Sequence, residues 1–321
     1  MTKCRICQND KDLTYYTVRE MMFGFRDEFK YFQCPQCECL QIAEVPENLS
    51  KYYPDNYYSF NVKTSADTKK GLKEKMMIER NRSAALGTGL VGFLLNRVYP
   101  TEIFDPLRIA GLKKDNSILD VGCGNGKLLF MLQEMGCTDL TGVDPFLDED
   151  IIKKGVNIYK KFITEVEGKW DFIMLNHSFE HMDNPLETFR KIYDLLNEEG
   201  TCMIRIPVAS SYAWEKYREN WVQLDAPRHI FLHSGKSMEL LAEQAGLKIT
   251  NIFYDSGAFQ FWGSEQYKKD IPLVSSESHS FRKDEAIFTK DQINRFHKEA
   301  IRLNKEKKGD MCAFYLKKNN A

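Results

Sequence analysis

The chain has 321 residues, 43% hydrophobic and 28% charged, which leaves room for one medium-sized domain and a smaller appended one. A formal net charge of −1 provides no broad basic surface for nucleic acid, although it is compatible with a local basic patch. The sequence contains neither a run of about 18 apolar residues nor a signal-peptide pattern, so we expect a cytoplasmic protein without a membrane span, with its nine cysteines reduced.

Two Cys-x-x-Cys pairs stand near the N-terminus, Cys4 with Cys7 and Cys34 with Cys37. This spacing is typical of a zinc ribbon, in which two tight turns each supply two thiolates to one tetrahedral ion. A segment this short buries little core, so the metal would supply folding free energy. We therefore predict a zinc-ribbon module over residues 1–50. Iron at the four thiolates, or a reduced cysteine pair, is the alternative.

Residues 51–105 are predicted to form a connector. It opens with an aromatic run and ends in an apolar stretch from Leu86 to Val98. The aromatic run contains Tyr52, Tyr53, Tyr57, Tyr58 and Phe60. These side chains, Tyr57 among them, either line a substrate cleft or pack the connector against the next domain.

From residue 116 onward, strand and helix patterns alternate. The predicted strands are 117–121, 140–143, 156–159, 170–175, 201–206, 248–254 and 311–316. The predicted helices are 127–135, 185–196, 236–245 and 292–308. We therefore predict a doubly wound α/β domain over residues 106–321, with a mostly parallel seven-stranded sheet and substrate-side insertions at 206–236 and 255–290.

A glycine-rich loop between the first strand and its helix is the strongest signal. It reads Asp120-Val121-Gly122-Cys123-Gly124-Asn125-Gly126. Glycines let the backbone approach a ligand, and the helix N-terminus offers free N–H groups. The third glycine comes one residue earlier than in a dinucleotide-binding loop. The Asp120 carboxylate would repel a pyrophosphate but suits a cationic head group, and Asp144, at the end of the next strand, is placed to accept both hydroxyls of a ribose.

Together these motifs resemble those of the class I S-adenosylmethionine (SAM) dependent methyltransferases, over residues 105–255 and the last strand. The resemblance implies SAM as cofactor, with Asp144 on its ribose and Thr164 and Glu165 near its adenine. It implies that the amino-acid part of SAM is held by Asp120, Gly122, Cys123, Gly124 and Gly126. It implies that the sulfonium is lined by Asn176, His177 and Ser178.

The segment Ser178-Phe179-Glu180-His181-Met182 resembles the small-molecule branch of these enzymes, and the Asn/Asp-Pro-Pro-aromatic signature of DNA-base methylases is missing. A hydroxyl acceptor needs a base for its proton, and histidine has a suitable pKa. His177 and His181 both follow the fourth strand. His181 serves either as that base or as a packing residue, and His177 is expected chiefly to line the cofactor.

The excursion at 206–236 leaves the carboxyl end of a strand, where ligands of such sheets bind. Its Pro227-Arg228-His229 segment resembles that of methyltransferases from polysaccharide and antibiotic-sugar pathways. We expect His229 to be the general base or a loop anchor, and Arg228 to bind an anionic substrate group. Trp221 either stacks on the substrate or packs within a lid.

These features predict a SAM-dependent methyltransferase that O-methylates a sugar, a nucleotide sugar or a glycan precursor. The zinc module followed by Tyr-Tyr-x-x-x-Tyr-Tyr resembles the front of sugar methyltransferases for nucleotide-linked deoxysugars. One alternative is an RNA or protein methyltransferase that grips a macromolecule with the zinc ribbon, which the near-neutral charge disfavours. Another is a non-catalytic SAM-binding module, which the intact glycine loop disfavours.

Overall fold

The computed structural model describes residues 2–54, 71–153, 155–281 and 287–319, so the candidate Tyr57 lies outside the described residues. The strands are β1 (Thr14–Arg19), β2 (Glu28–Gln33), β3 (Leu40–Ile42), β4 (Ser117–Val121), β5 (Asp139–Val143), β6 (Ile151–Lys153), β7 (Val156–Tyr159), β8 (Trp170–Asn176), β9 (Leu196–Pro207), β10 (Phe231–Leu232), β11 (Leu247–Tyr254) and β12 (Met311–Lys318). The α-helices are α1 (Leu72–Leu86), α2 (Leu90–Val98), α3 (Asp105–Ile109), α4 (Lys127–Glu134), α5 (Pro185–Leu195), α6 (Tyr212–Tyr217), α7 (Gly235–Gln244), α8 (Phe259–Tyr267) and α9 (Lys290–Lys305). Short 3-10 helices cover Leu49–Tyr52, Ile163–Glu165, Phe179–His181, Arg218–Asn220 and Val222–Leu224.

The larger sheet has the order β11-β12-β9-β8-β4-β5-β7-β6. Its central strands are parallel, whereas β12 runs antiparallel to both β9 and β11. The predicted mostly parallel α/β sheet is confirmed, but the described residues form eight strands of it rather than seven. The added strand, β6, pairs antiparallel with β7 at the edge. Its residues are half-buried or exposed, so they carry no hydrophobic pattern that sequence alone would reveal.

The core lies on both faces of this sheet, because side chains alternate along each strand. On β8, Ile173 and Leu175 belong to one buried cluster, while Phe172 and Met174 belong to the cluster on the opposite face. Burying each such side chain contributes about 1.5–3 kcal/mol. A strand covered on both faces reads as a continuous apolar run, which is why β8 was easy to predict. None of the described helices has the length and apolar content that crossing a membrane requires.

The start of β9 differs from the prediction. The structure begins the strand at Leu196, directly after α5, rather than at residue 201. Leu196 pairs with Trp170, and Asn197 donates a hydrogen bond of 2.7 Å to Asp171. The polar residues that follow Leu196 have no alternating apolar pattern, so tertiary pairing rather than local propensity sets this boundary.

The N-terminal module is a second sheet with the order β1-β2-β3-β10. Its fourth strand comes from the 206–236 excursion, with Phe231 opposite Gln41 on β3. Two further hydrogen bonds join the same segments. The Tyr31 hydroxyl donates to the carbonyl oxygen of His229 at 2.8 Å, and the Ser234 hydroxyl donates to that of Cys37 at 2.5 Å. The excursion therefore fixes the position of the module against the larger domain.

Candidate functional site

A cleft of about 2090 Å³ opens at the carboxyl ends of the central parallel strands. The glycine loop and the end of β5 line one part, and the residues after β8 line another. Helix α9 and the N-terminal module complete it, the module through Val45, Leu49 and Tyr53. Ligands of open α/β sheets bind at this edge. Since single small-molecule sites typically measure about 300–1,000 Å³, the cleft has room for two ligands side by side.

The glycine loop is shaped so that only glycine fits. Gly122, Gly124 and Gly126 all have positive φ, of +73°, +54° and +75°. A Cβ atom on Gly122 would lie 2.3 Å from the Cβ of Ser178, which is closer than any real contact. The Gly122 N–H donates to the carbonyl oxygen of Val143 at 2.8 Å, which ties the loop to the end of β5. The backbone is therefore held where a ligand can approach it closely.

Two carboxylates lie beside this loop. Asp144 accepts hydrogen bonds from the N–H groups of Gly124, at 2.9 Å, and Phe146, at 3.0 Å. Asp120 is only 4% exposed, and its burial, together with the negative charge of Asp144, raises its pKa to about 7. Neither forms an ion pair within the part of the chain that the structure describes. Two neighbouring acids without a basic partner fit a ligand that carries positive charge.

Two aromatic side chains face the same end of the cleft. Phe146 and Phe162 both line it and are 73% and 59% exposed. Exposed aromatic faces of this kind suit a flat heterocycle. The expected Thr164 also lines the cleft, whereas the Glu165 carboxylate accepts the N–H of Phe162 at 2.8 Å. Sequence analysis missed Phe146 and Phe162; the position of Phe146 two residues after Asp144 was the available signal.

The residues after β8 reach the cleft as expected. Asn176, His177 and Ser178 all line it, and Ser178 donates its hydroxyl to the carbonyl oxygen of Val121 at 2.7 Å. His177 has a φ of +55°. Its Nε2 atom is in close contact with Nη1 of Arg205. Because a guanidinium can only donate, the Nε2 lone pair of His177 is already engaged.

Arg205 is a cleft residue that sequence analysis missed. It lies near the end of β9 and pairs with Asp255 through a contact of 2.6 Å between Nε and Oδ2. Both residues line the cleft. A single arginine within a strand gives no local signal of a site, since its partner stands 50 residues further along the chain.

His181 also lines the cleft, on the side of the N-terminal module. Its Nδ1 atom lies 2.9 Å from the carbonyl oxygen of Arg228 and 3.4 Å from the Tyr53 hydroxyl. A carbonyl oxygen only accepts, so Nδ1 must carry the proton. In the neutral ring, Nε2 is then left with a lone pair.

His229 lies behind His181 rather than on the cleft surface. Its side chain is 8% exposed, and the two rings meet edge to face with centroids 4.8 Å apart. Its Nδ1 atom is 2.7 Å from the carbonyl oxygen of Gln223. Burial, and next the charge of His181, lowers the pKa of His229 to about 4. Of the three candidate bases, His177 and His181 therefore line the cleft, and His229 packs behind them.

Two of the candidate substrate contacts, Arg228 and Trp221, are buried. Arg228 is fully buried and bonds Glu20 at 2.9 Å and Asp225 at 2.6 Å. Its guanidinium is satisfied by two carboxylates and the carbonyl oxygen of Tyr52, so it is not available to an anionic substrate. Trp221 is also buried, with its indole N–H donating to Asp310 at 2.9 Å. Both hold the excursion in place.

The four predicted metal ligands come together. The sulfur atoms of Cys4 and Cys37 are 3.4 Å apart, those of Cys7 and Cys34 are 3.5 Å apart, and all four lie within 4.8 Å of one another. Thiolates at about 2.3 Å from one tetrahedral ion would be separated by about 3.8 Å. Cys39 is buried outside this group. The arrangement suits one tetrahedral ion.

Residues 96–252 match the protein family described as "Methyltransferase domain". A ribosomal protein L11 methyltransferase of Thermotoga petrophila is 28% identical over 114 residues, which cover 32% of this chain and 40% of that protein. A tRNA U34 carboxymethyltransferase of Helicobacter pylori is 30% identical over 115 residues, which cover 32% of this chain and 44% of that protein. The chain thus spans less than half the length of these relatives.

Among solved structures, a SAM-dependent methyltransferase from Archaeoglobus fulgidus has 18% sequence identity and a TM-score of 0.42. The alignment covers 72% of this chain and all of that one.

Proposed function

We propose that the protein, whose residues 96–252 match the family described as "Methyltransferase domain", transfers a methyl group from SAM to an oxygen atom of a sugar, a nucleotide sugar or a glycan precursor. The observation that carries the proposal is the pair of neighbouring carboxylates, Asp120 and Asp144, beside a loop that only glycine can form. SAM is a cationic nucleoside, and this part of the cleft offers acids, bare backbone and aromatic faces together.

Each part of the chain around the loop has a proposed role toward SAM. Asp144 accepts the ribose hydroxyls while it holds Gly124, and Asp120 faces the amino-acid head group. Phe146 covers the adenine. Asn176, His177 and Ser178 line the end nearest to the acceptor. When bound, SAM supplies an activated methyl group, so the remaining task of the protein is to align the acceptor and remove its proton.

His181 is the side chain that we assign to the acceptor proton. It lines the cleft, its Nδ1 atom is committed to the Arg228 carbonyl oxygen, and its Nε2 atom keeps a lone pair. His177 is less suited, because Arg205 already donates to its Nε2 atom. His229 holds the excursion through its bond to Gln223. Proton removal of this kind contributes about 10²–10⁴ in rate.

The sugar assignment has two supports. The cleft has room for a second ligand beside SAM, with a polar side chain such as Asn184 on its lining. The excursion that resembles the sugar-pathway enzymes closes this side by pairing with the module.

Zinc is the proposed ion at Cys4, Cys7, Cys34 and Cys37. It would hold two turns of the module, whose residue Tyr53 reaches the cleft. Zinc supplies folding free energy there rather than chemistry, because all four positions are taken by thiolates. All nine cysteines lie among the described residues and none of them forms a disulfide, which supports the proposed cytoplasmic location.

The competing proposal is a macromolecular acceptor, because the named relatives are a ribosomal protein methyltransferase and a tRNA-modifying enzyme. The net charge of −1 supports the small-molecule acceptor over RNA.

Isotope-labelled SAM distinguishes directly between a sugar acceptor and a macromolecular acceptor. The protein is incubated with separate pools of nucleotide sugars, tRNA and ribosomal proteins, and each pool is examined by mass spectrometry, with an Asp144→Asn variant as the inactive control. Label in the nucleotide-sugar pool alone is the expected result. Label confined to tRNA or to ribosomal protein would replace the sugar acceptor with a macromolecule.

A further inference from the structure

Glu180 is a fully buried carboxylate with no hydrogen-bond partner among the described residues, on either oxygen. It follows β8 in the short helix that carries His181. Imidazole nitrogens face it instead. The Nδ1 atom of His177 lies 3.7 Å from its Oε1 atom, and the Nε2 atom of His229 lies 3.9 Å from the same oxygen. Such a carboxylate normally recruits donors or a cation, because an unpaired buried charge is costly.

Two of the imidazoles around Glu180, those of His181 and His229, are already oriented by main-chain carbonyls. His181 presents Nδ1 to Arg228 and His229 presents Nδ1 to Gln223, at 2.9 and 2.7 Å. Both contacts fix the proton on Nδ1 and leave a lone pair on Nε2. Metal-binding histidines are held in this way, with the nitrogen away from the ion bonded to a carbonyl or carboxylate.

We propose that Glu180, His181 and His229 bind a divalent cation of the zinc, cobalt or nickel class. The three residues offer ligand atoms that all lie within 4.8 Å of one another. Ligands at about 2.1 Å from one tetrahedral ion stand about 3.4 Å apart, so small side-chain rotations would bring the 3.9 Å pair and the third ligand together around the ion. Two imidazoles and one carboxylate are a ligand set that suits these metals.

Among the described residues, the two arginines of this region are bonded to other partners than Glu180. The guanidinium of Arg228 bonds Glu20, Asp225 and the carbonyl oxygen of Tyr52. Arg205 is committed to Asp255 and His177. The negative charge of Glu180 can therefore be balanced by the neighbouring imidazoles and by a metal ion bound to them.

Three protein ligands leave a coordination position open, as in catalytic rather than structural sites. Since His181 lines the cleft, the ion would lie next to the acceptor region, where a metal would lower the pKa of a bound hydroxyl. With the ion bound, the Nε2 lone pair of His181 would be on the metal, so the metal would take over the activation of the hydroxyl that we assign to the free imidazole. This consequence rests on the proposed function, whereas binding of the metal does not.

Metal counting on the full chain tests the site without any methyl transfer. The protein is dialysed against zinc, and bound metal is measured by mass spectrometry for the wild type, Glu180→Gln, His229→Gln and Glu187→Gln. Glu187 lines the cleft but belongs to no metal-ligand group of the described residues, so its variant is the matched control. We expect two ions per chain in the wild type and in Glu187→Gln, and one in the other two variants.

Cobalt titration gives an independent readout. It uses the wild type only, so it does not depend on whether a variant folds. The first equivalent should produce the strong charge-transfer absorption of a tetrathiolate site, and the second only weak visible bands of a nitrogen and oxygen site. A single equivalent of cobalt with thiolate bands alone, or two zinc ions retained in Glu180→Gln, overturns the proposal. Calorimetry of SAM on the same variants reports the methyltransferase assignment separately, since a failed metal site leaves SAM binding intact.

Discussion

The Nδ1 atom of His181 lies 2.9 Å from the carbonyl oxygen of Arg228, so the excursion after β9 orients a ring that belongs to the end of β8. Arg228 itself is anchored to Glu20 of the N-terminal module by a buried ion pair of 2.9 Å. Module, excursion and cleft are therefore connected through two consecutive contacts. The position of the proposed catalytic imidazole depends on a module that lies outside the α/β domain.

Replacement of His181 by glutamine should lower kcat by about 10²–10³ while the Kd for SAM changes less than about twofold, because the lone pair at the acceptor is lost but the SAM contacts stay. Initial rates with labelled SAM and calorimetry measure the two quantities. His297→Gln is the matched control, since His297 lines the same cleft from α9 and should keep its rate. Equal losses in both variants would count against the assignment of His181.

Affinity for SAM should rise with pH. The pKa of Asp120 is raised to about 7, so the side chain is neutral below that value and attracts a cation only above it. The Kd should fall as pH rises from about 6 to about 7 and then level off, and Asp120→Asn should abolish this slope. Calorimetry in one buffer series measures it. A wild-type Kd that is flat across this range would remove Asp120 from the ligand contacts.

The same raised pKa has a consequence for stability without ligand. The unfolded chain ionises Asp120 near its ordinary pKa of 3.8, so the free energy of unfolding should decline as pH rises from there toward about 7. Urea denaturation of the wild type against Asp120→Asn isolates this contribution.

Alanine at Gly122 should destabilise the protein more than alanine at Gly111. Both glycines have a φ of +73°, but a Cβ at Gly111 meets nothing within 4 Å, whereas one at Gly122 clashes with Ser178. The strain of positive φ costs about 1–2 kcal/mol in each, and overpacking adds about 1–3 kcal/mol at Gly122 alone. Denaturant titration gives both values. Indistinguishable losses would mean that the loop is not packed against Ser178.

Chelation of zinc should expose the thiols of the N-terminal module and leave those of the large sheet protected. Cys4, Cys7, Cys34 and Cys37 should become reactive to a thiol reagent, because the ion supplies much of the folding free energy of the module. The core residues Cys202 and Cys312, fully buried on β9 and β12, serve as the internal control and should stay protected. Mass spectrometry of the labelled peptides reports both. Unchanged protection of the first four would contradict the zinc ribbon.

The parts of the site that sequence could predict are local. Asp120 lies near the end of β4, and the Gly122 to Gly126 loop and Asp144 each follow a strand directly, so the parallel pairing of β4 and β5 alone brings them together. The apolar run of β8 is legible because both of its faces are buried. In these places the functional side chains and the secondary structure that positions them are encoded in the same short stretch of chain.

The parts that sequence could not predict depend on distant partners. The Pro227-Arg228-His229 segment predicts that Arg228 binds an anionic substrate group. Its guanidinium instead bonds Glu20, which stands 208 residues away in the sequence. The pairing of β10 with β3 likewise joins two short strands without a strong pattern of their own. Long-range pairing of this kind is set by tertiary packing, which local propensity does not encode.

Calorimetric titration of SAM into the wild type and into Asp144→Asn tests the central assignment most directly. The substitution removes the charge that accepts the N–H groups of Gly124 and Phe146, so affinity should fall by about 10–100-fold. No heat from saturating SAM on the wild type, or the same Kd for both proteins, would contradict a methyl-donor site in this cleft.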